Sequence, residues 1–145
     1  SLFIEPKDLG LSKKIGISVN LEGEKDREKV GIYRIKGNLY LGGEWKGDKF
    51  KAEVFAPEDY TVLKDEIPPL ILKVWKKSNR IYILTKDIGA GIPWNGVKVF
   101  INDKEKILEY DPDHLLAEGE IKEKGKGIIV VSDYAQNKSS KIFQF

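Results

Sequence analysis

The sequence predicts an all-β protein made of two consecutive β-sandwich units, and three observations carry that prediction. Apolar residues gather in short runs of β-branched and aromatic side chains, several with period-two alternation: Val30-Gly31-Ile32-Tyr33, Ile81-Tyr82-Ile83-Leu84, Val97-Lys98-Val99-Phe100-Ile101 and Ile128-Ile129-Val130-Val131. Turn-forming residues punctuate these runs at Gly42-Gly43, Lys46-Gly47-Asp48, Asn95-Gly96, Asn102-Asp103 and Gly125-Lys126-Gly127. Finally, Ile67-Pro68-Pro69 divides the chain, because successive prolines cannot donate to a strand ladder and suit a strand entry or a stiff joint.

In order along the chain, the first unit covers residues 1–66, with strands expected near 2–5, 13–22, 29–37, 38–46, 49–56 and 59–64. A unit of that size is marginal for an independent core. The second covers residues 67–145, with strands expected near 69–76, 80–86, 96–102, 106–111, 114–122, 127–134 and 139–145. That strand density is typical of an immunoglobulin-like or fibronectin type III-like sandwich. Only Asp113 to Glu120 has a helical look, and Gly119 together with its shortness argues against a helix. At the end, Phe143 and Phe145 share one face of a final strand and are expected to pack inward.

Composition narrows the function. The 145 residues are 41% hydrophobic and 33% charged, with a mean hydropathy of −0.37, enough to fill a core and keep a polar surface. Twenty-five basic residues against 23 acidic ones lack the positive excess with which a nucleic-acid binder neutralises phosphates, so no nucleic-acid partner is expected. No apolar stretch approaches the roughly 20 residues of a membrane span, and no signal peptide is present in this sequence. The absence of Cys excludes disulfides and thiolate chemistry. With no Met and Ser at position 1, the natural start is expected upstream. Gln occurs twice while Lys, Glu and Ile abound, the bias of a thermophilic chain.

The second unit reads Asp87-Ile88-Gly89-Ala90-Gly91-Ile92, a Val-x-Val-x-Ile strand at 97–101 followed by Asn102-Asp103, then Tyr110-Asp111, Lys124-Gly125-Lys126-Gly127 and Val131-Ser132-Asp133-Tyr134-Ala135-Gln136-Asn137-Lys138-Ser139. This resembles the bacterial Ig-like pattern, departing from it at Gln136, where that pattern has Gly. Ile32-Tyr33, Leu39-Tyr40-Leu41-Gly42-Gly43 and Tyr60-Thr61-Val62-Leu63-Lys64-Asp65, followed by Pro68-Pro69 and the Ig-like unit, resemble the non-catalytic tail of lysostaphin-type zinc metallopeptidases. The resemblance implies an extracytoplasmic or cell-envelope location. It also implies an accessory role beside an adjacent domain of the same parent chain, with cell-wall glycan or protein as partner. The zinc set of that family, a His and an Asp plus a His-x-His pair, does not fit a chain whose single histidine is His114.

Four groups of residues are candidates for chemistry. Asp111-Pro112-Asp113-His114 gathers metal-competent side chains, although Asp and Pro also start hairpin turns and zinc takes more ligands than this cluster offers. Asp87, Asp133 and Asn137 sit on loops that leave one end of a fibronectin-like sandwich and offer oxygens to calcium; equally, Asp and Asn at strand exits bond the N–H groups of their own turns. Trp45 and Trp94 lie beside glycine-rich turns and are candidates for an aromatic sugar platform, or for folding back onto the core, while Trp75 is expected to pack. The run Glu24-Lys25-Asp26-Arg27-Glu28-Lys29 reads as a solvated loop. No cofactor and no catalytic motif is expected. The sequence therefore points to a non-catalytic accessory module, with a carbohydrate-binding module as the alternative.

Overall fold

The computed structural model describes residues 14–36, 39–54 and 59–145, and residues 2–6 as backbone. Expected strand positions at 13, 37–38 and 55–56 lie outside the described residues. The protein is all-β, and its chain divides into two compact units, Ser1–Asp65 and Glu66–Phe145.

The first unit contains β1 (Leu2–Pro6), β2 (Ile15–Asn20), a 3₁₀ turn at Arg27–Lys29, β3 (Val30–Arg34), β4 (Leu39–Gly42), β5 (Glu44–Lys46), β6 (Lys49–Val54) and β7 (Tyr60–Lys64). They form two antiparallel sheets, ordered β1-β2-β6-β5 and β4-β3-β7. Ile17 and Val19 from β2, Val30 and Ile32 from β3, Phe50 and Val54 from β6, and Tyr60 from β7 make one buried cluster. The alternation in β2 and β6 explains the inward set, since successive side chains on a strand point to opposite faces.

The second unit contains β8 (Leu70–Lys77), β9 (Arg80–Lys86), β10 (Val97–Ile101), β11 (Lys104–Ile107), β12 (Glu109–Asp111), β13 (Leu116–Glu120), β14 (Lys126–Ser132) and β15 (Lys138–Gln144). Its sheets are ordered β12-β13-β9-β8 and β11-β10-β14-β15, all antiparallel. Ile81 and Ile83 on one sheet face Val97, Val99, Ile101, Ile129 and Val131 from the other in a single core that also takes Leu108, Ala117, Ile121 and Phe145. Each fully buried Ile or Val there contributes about 1.5 to 3 kcal/mol by leaving water. Phe143 packs against this core and Phe145 lies within it, their rings 5.0 Å apart, as the shared face of the last strand predicts.

Two expected strands are each divided, and for the same purpose. The expected strand at 38–46 breaks at Gly43, whose φ is +127°. Before the break β4 pairs with β3, and after it β5 pairs with β6 in the other sheet. A side chain at Gly43 would meet the Phe50 ring. In the second unit the expected strand at 106–111 breaks at Leu108, which is 2% exposed. Its N–H donates to the Val97 carbonyl at 3.0 Å, while β11 pairs with β10 and β12 with β13. Strand order is thus the same in both units, one strand shorter in the first among the described residues. The hairpin joining β10 and β11 turns on Asn102 and Asp103, with φ of +49° and +60°, the two positive values of a type I′ turn.

Candidate functional site

The loops that follow β9 and β14 meet at one end of the second unit, as the sequence places them. Asp87 opens the first loop, and its Oδ2 accepts the Gly91 N–H at 2.6 Å. Asp133 opens the second, where its Oδ1 accepts the Asn137 N–H at 2.8 Å and its Oδ2 accepts the Asn137 side-chain N–H at 3.0 Å. Tyr134 N–H then donates to the Gly91 carbonyl at 2.8 Å, and Ser132 N–H to the Gly96 carbonyl at 2.8 Å. Both carboxylates therefore close their own turns, and backbone bonds lock the turns to each other. A Cβ on Gly96 would lie 2.6 Å from the Ser132 carbonyl oxygen and 2.8 Å from Ile92, so only Gly allows the loop to lie this close to the end of β14.

Asp87 and Asp133 are the pair that could hold a cation, for their carboxylate oxygens lie within 4.8 Å of each other. Asn137 turns its side-chain N–H to Asp133, and the side-chain oxygens of these three residues fall short of the six to eight that calcium takes.

Trp45 belongs to the first unit and Trp94 to the second. Trp45 is half-buried: its indole N–H donates to the Arg27 carbonyl at 2.9 Å, its ring meets Phe50 edge-on at 5.2 Å, and the Arg27 guanidinium covers it at 4.5 Å. Of the two readings of Trp45, these contacts fit the one in which it folds back onto its own unit. Arg27 also bonds the Gly47 carbonyl and the Asp48 carboxylate, and Lys64 pairs with Asp26 at 2.7 Å and Glu24 at 3.0 Å. The charged run at 24–29 is accordingly a brace rather than a free solvated loop. Lys64 holds the Asp26 carboxyl below its ordinary value, and the Asp26 N–H, with Lys64, does the same to Glu24. Trp75, expected to pack, stacks on Tyr82 across the strand pair, 5.4 Å centroid to centroid and 13° from parallel, on the face opposite Ile81 and Ile83.

Trp94 is 72% exposed, so it does not fold back to close the sandwich end. It stands between two depressions that share it and Tyr110. One, of about 350 Å³, is lined also by Ile92, Pro112, Leu115 and Tyr134; the other, of about 550 Å³, by Ile107, Leu108 and Glu109. Tyr110 is fixed from behind, its hydroxyl 3.1 Å from the Thr85 hydroxyl, which itself donates to the Leu115 carbonyl. Sequence reading missed the company of Tyr134. The turn after β14 buries Asp133, Ala135 and Asn137 and leaves Tyr134 and Gln136 exposed.

Asp111-Pro112-Asp113-His114 forms the turn between β12 and β13 at the rim of this surface. Asp111 Oδ1 accepts the Asp113 N–H at 2.9 Å, and Oδ2 lies 2.6 Å from His114 Nδ1. That bond raises the His114 pKa and lowers that of Asp111. The arrangement is a closed hairpin turn with an exposed ion pair.

No family model, no curated protein and no solved structure matches the chain. Among the described residues, no helix is long and apolar enough to cross a membrane.

Proposed function

We propose that this chain is a non-catalytic accessory module of a cell-envelope protein. Its two β-sandwich units space or orient a neighbouring domain of the parent chain, and the loop end of the second unit makes the contact with wall or protein. The reading takes the second unit as immunoglobulin-like. Its support is strand order: first, second, fifth and fourth strands in one sheet, third, sixth and seventh in the other, plus an extra strand beside the third. The resemblance of its sequence to the tail of lysostaphin-type metallopeptidases is the support for the envelope context.

One observation carries the contact role: an indole 72% exposed on a loop that backbone and carboxylate bonds hold at both ends. Ile107, Leu115 and Tyr134, 41 to 51% exposed, line the same depressions, and an exposed apolar patch on a rigid support marks an interaction surface. Incubating the chain with purified bacterial walls tests the proposal. The expected result is cosedimentation that weakens in Trp94→Ala, with no release of soluble wall fragments. Release of amines or reducing ends by the chain alone, abolished in His114→Ala, would make it an enzyme and overturn the reading, as would failure to cosediment.

A further inference from the structure

We infer that the loop end of the second unit binds a neutral oligosaccharide, laid across Trp94 with sugar rings in the depressions on either side of it. This rests on the contact role given to that surface and names its ligand class.

The first argument is shape. The two depressions, about 350 and 550 Å³, fall in the range of about 300 to 1,000 Å³ in which small organic groups are held. Because Trp94 and Tyr110 border both, a ligand that fills them crosses the indole and is a chain of linked units rather than a compact molecule. The C–H faces of a pyranose ring are apolar and flat, and they match an aromatic ring face; the Trp94 indole and the half-exposed Tyr134 ring offer two.

The second argument is charge. In a chain with 25 Lys and Arg, none lines either depression. The charged side chain that does is Glu109, and the Asp111 carboxylate follows on the same strand. Carboxylates on a surface that no Lys or Arg lines repel a phosphate or sulfate polymer, so nucleic acids and anionic wall polymers do not suit this surface. They do accept hydrogen bonds from sugar hydroxyls. Asn95, exposed beside Trp94, adds a side-chain amide that both donates and accepts.

The third argument is what the rim lacks for a peptide. β12 is the edge strand here, but it spans only Glu109–Asp111. Three residues give an added strand too few main-chain bonds, and short edge strands are a recognised defence against pairing. Meanwhile the bonds from Asp87 to Gly91, Tyr134 to Gly91 and Ser132 to Gly96 hold the loop in place before any ligand arrives, which limits the ordering cost of binding.

The experiment is affinity electrophoresis of the intact chain through gels containing chitin-type, cellulose-type, β-1,3-glucan or mannan polysaccharide. It is followed by NMR titration of the indole N–H signals with the matching oligosaccharides. Retardation by at least one neutral glycan is expected. The Trp94 indole signal should move, affinity should rise from mono- to tetrasaccharide, and Trp94→Ala should lose about ten-fold or more. Tyr134→Ala should weaken binding, and Trp75→Ala should leave it unchanged.

Retardation insensitive to Trp94→Ala, or no retardation by any neutral glycan with the folded chain, overturns the inference. If walls bind through Trp94 while neutral glycans do not, the ligand class is wrong and the contact role stands. Should neither bind, both fall.

Discussion

The carbonyl of Gly91 accepts the backbone N–H of Tyr134 at 2.8 Å, joining two loops that are far apart in sequence and leaving the Tyr134 ring beside Trp94 at the mouth of one depression. The bond is possible because each loop is first closed on itself by an aspartate at its strand exit. Asp133 is the more buried of the two, at 3% exposure. Asp133→Ala leaves the Asn137 N–H without its acceptor in a buried turn, and the expected loss of stability is about 2 to 3 kcal/mol. Urea unfolding followed by far-UV circular dichroism measures it. Asp133→Asn keeps one oxygen acceptor and should cost less. Equal stability of wild type and Asp133→Ala would show that the turn does not depend on this carboxylate.

Gln136 lies in the same turn with φ of +63°, the left-handed region that costs a side-chain-bearing residue about 1 kcal/mol or more and costs Gly nothing. The resemblance to the bacterial Ig-like pattern puts Gly at this position. Gln136→Gly is therefore expected to stabilise the unit, by roughly 0.5 to 1 kcal/mol once the greater freedom of Gly in the unfolded chain is subtracted. A rise in the urea midpoint at unchanged slope is the measurement. A fall would mean that Gln136 makes a compensating contact worth more than the strain.

The two tryptophans named from sequence should separate cleanly in stability. Trp45 packs on Phe50 and bonds the Arg27 carbonyl, so Trp45→Ala opens a cavity, with an expected cost of about 2 to 4 kcal/mol. Trp94 is mostly in water, and Trp94→Ala should stay within about 0.5 kcal/mol of wild type. Thermal or urea melts of the two variants decide this. Large destabilisation by Trp94→Ala would give it a core role and remove the reason to regard it as a contact residue.

The strands with period-two alternation, Ile81-Tyr82-Ile83 and Val97-Lys98-Val99, were legible because burial on one face selects every second residue. Gly43 and Leu108 were not read as break points. A strand that crosses from one sheet to the other keeps its β-rich composition through the kink, so composition and period see one run where hydrogen bonding makes two. At the candidate site, Asp87, Asp133 and Asn137 were correctly placed on one end, since sandwich topology alone sends those loops the same way. Their bonding was not legible, because an aspartate at a strand exit reads alike whether it closes a turn or meets an ion. Exposure was the least readable property. Trp45 and Trp94 each sit near glycines, and only the neighbouring Arg27 and Phe50 bury the one and not the other.

His114 and Asp111 make a pH-dependent pair whose sign follows from their shifts. The Asp111 hydrogen bond raises the His114 pKa above 6.5, and the same contact lowers Asp111 below 3.8. The contribution of His114 is thus complete below 6.5 and is lost as pH rises through its raised folded value. That of Asp111 is complete above 3.8 and is lost as pH falls through its lowered value, so the pair acts fully between those limits. Both side chains are exposed and water weakens the interaction, so the test is titration rather than stability. By NMR, His114 should titrate above 6.5, and Asp111→Asn should return it toward that value. The same titration bears on the ligand: above the His114 transition the rim gains net negative charge, which would strengthen binding of a cationic ligand and leave a neutral sugar nearly unaffected. Glycan affinity that holds level across that transition is therefore expected, and affinity that climbs with His114 deprotonation would assign the Trp94 surface to a cation instead.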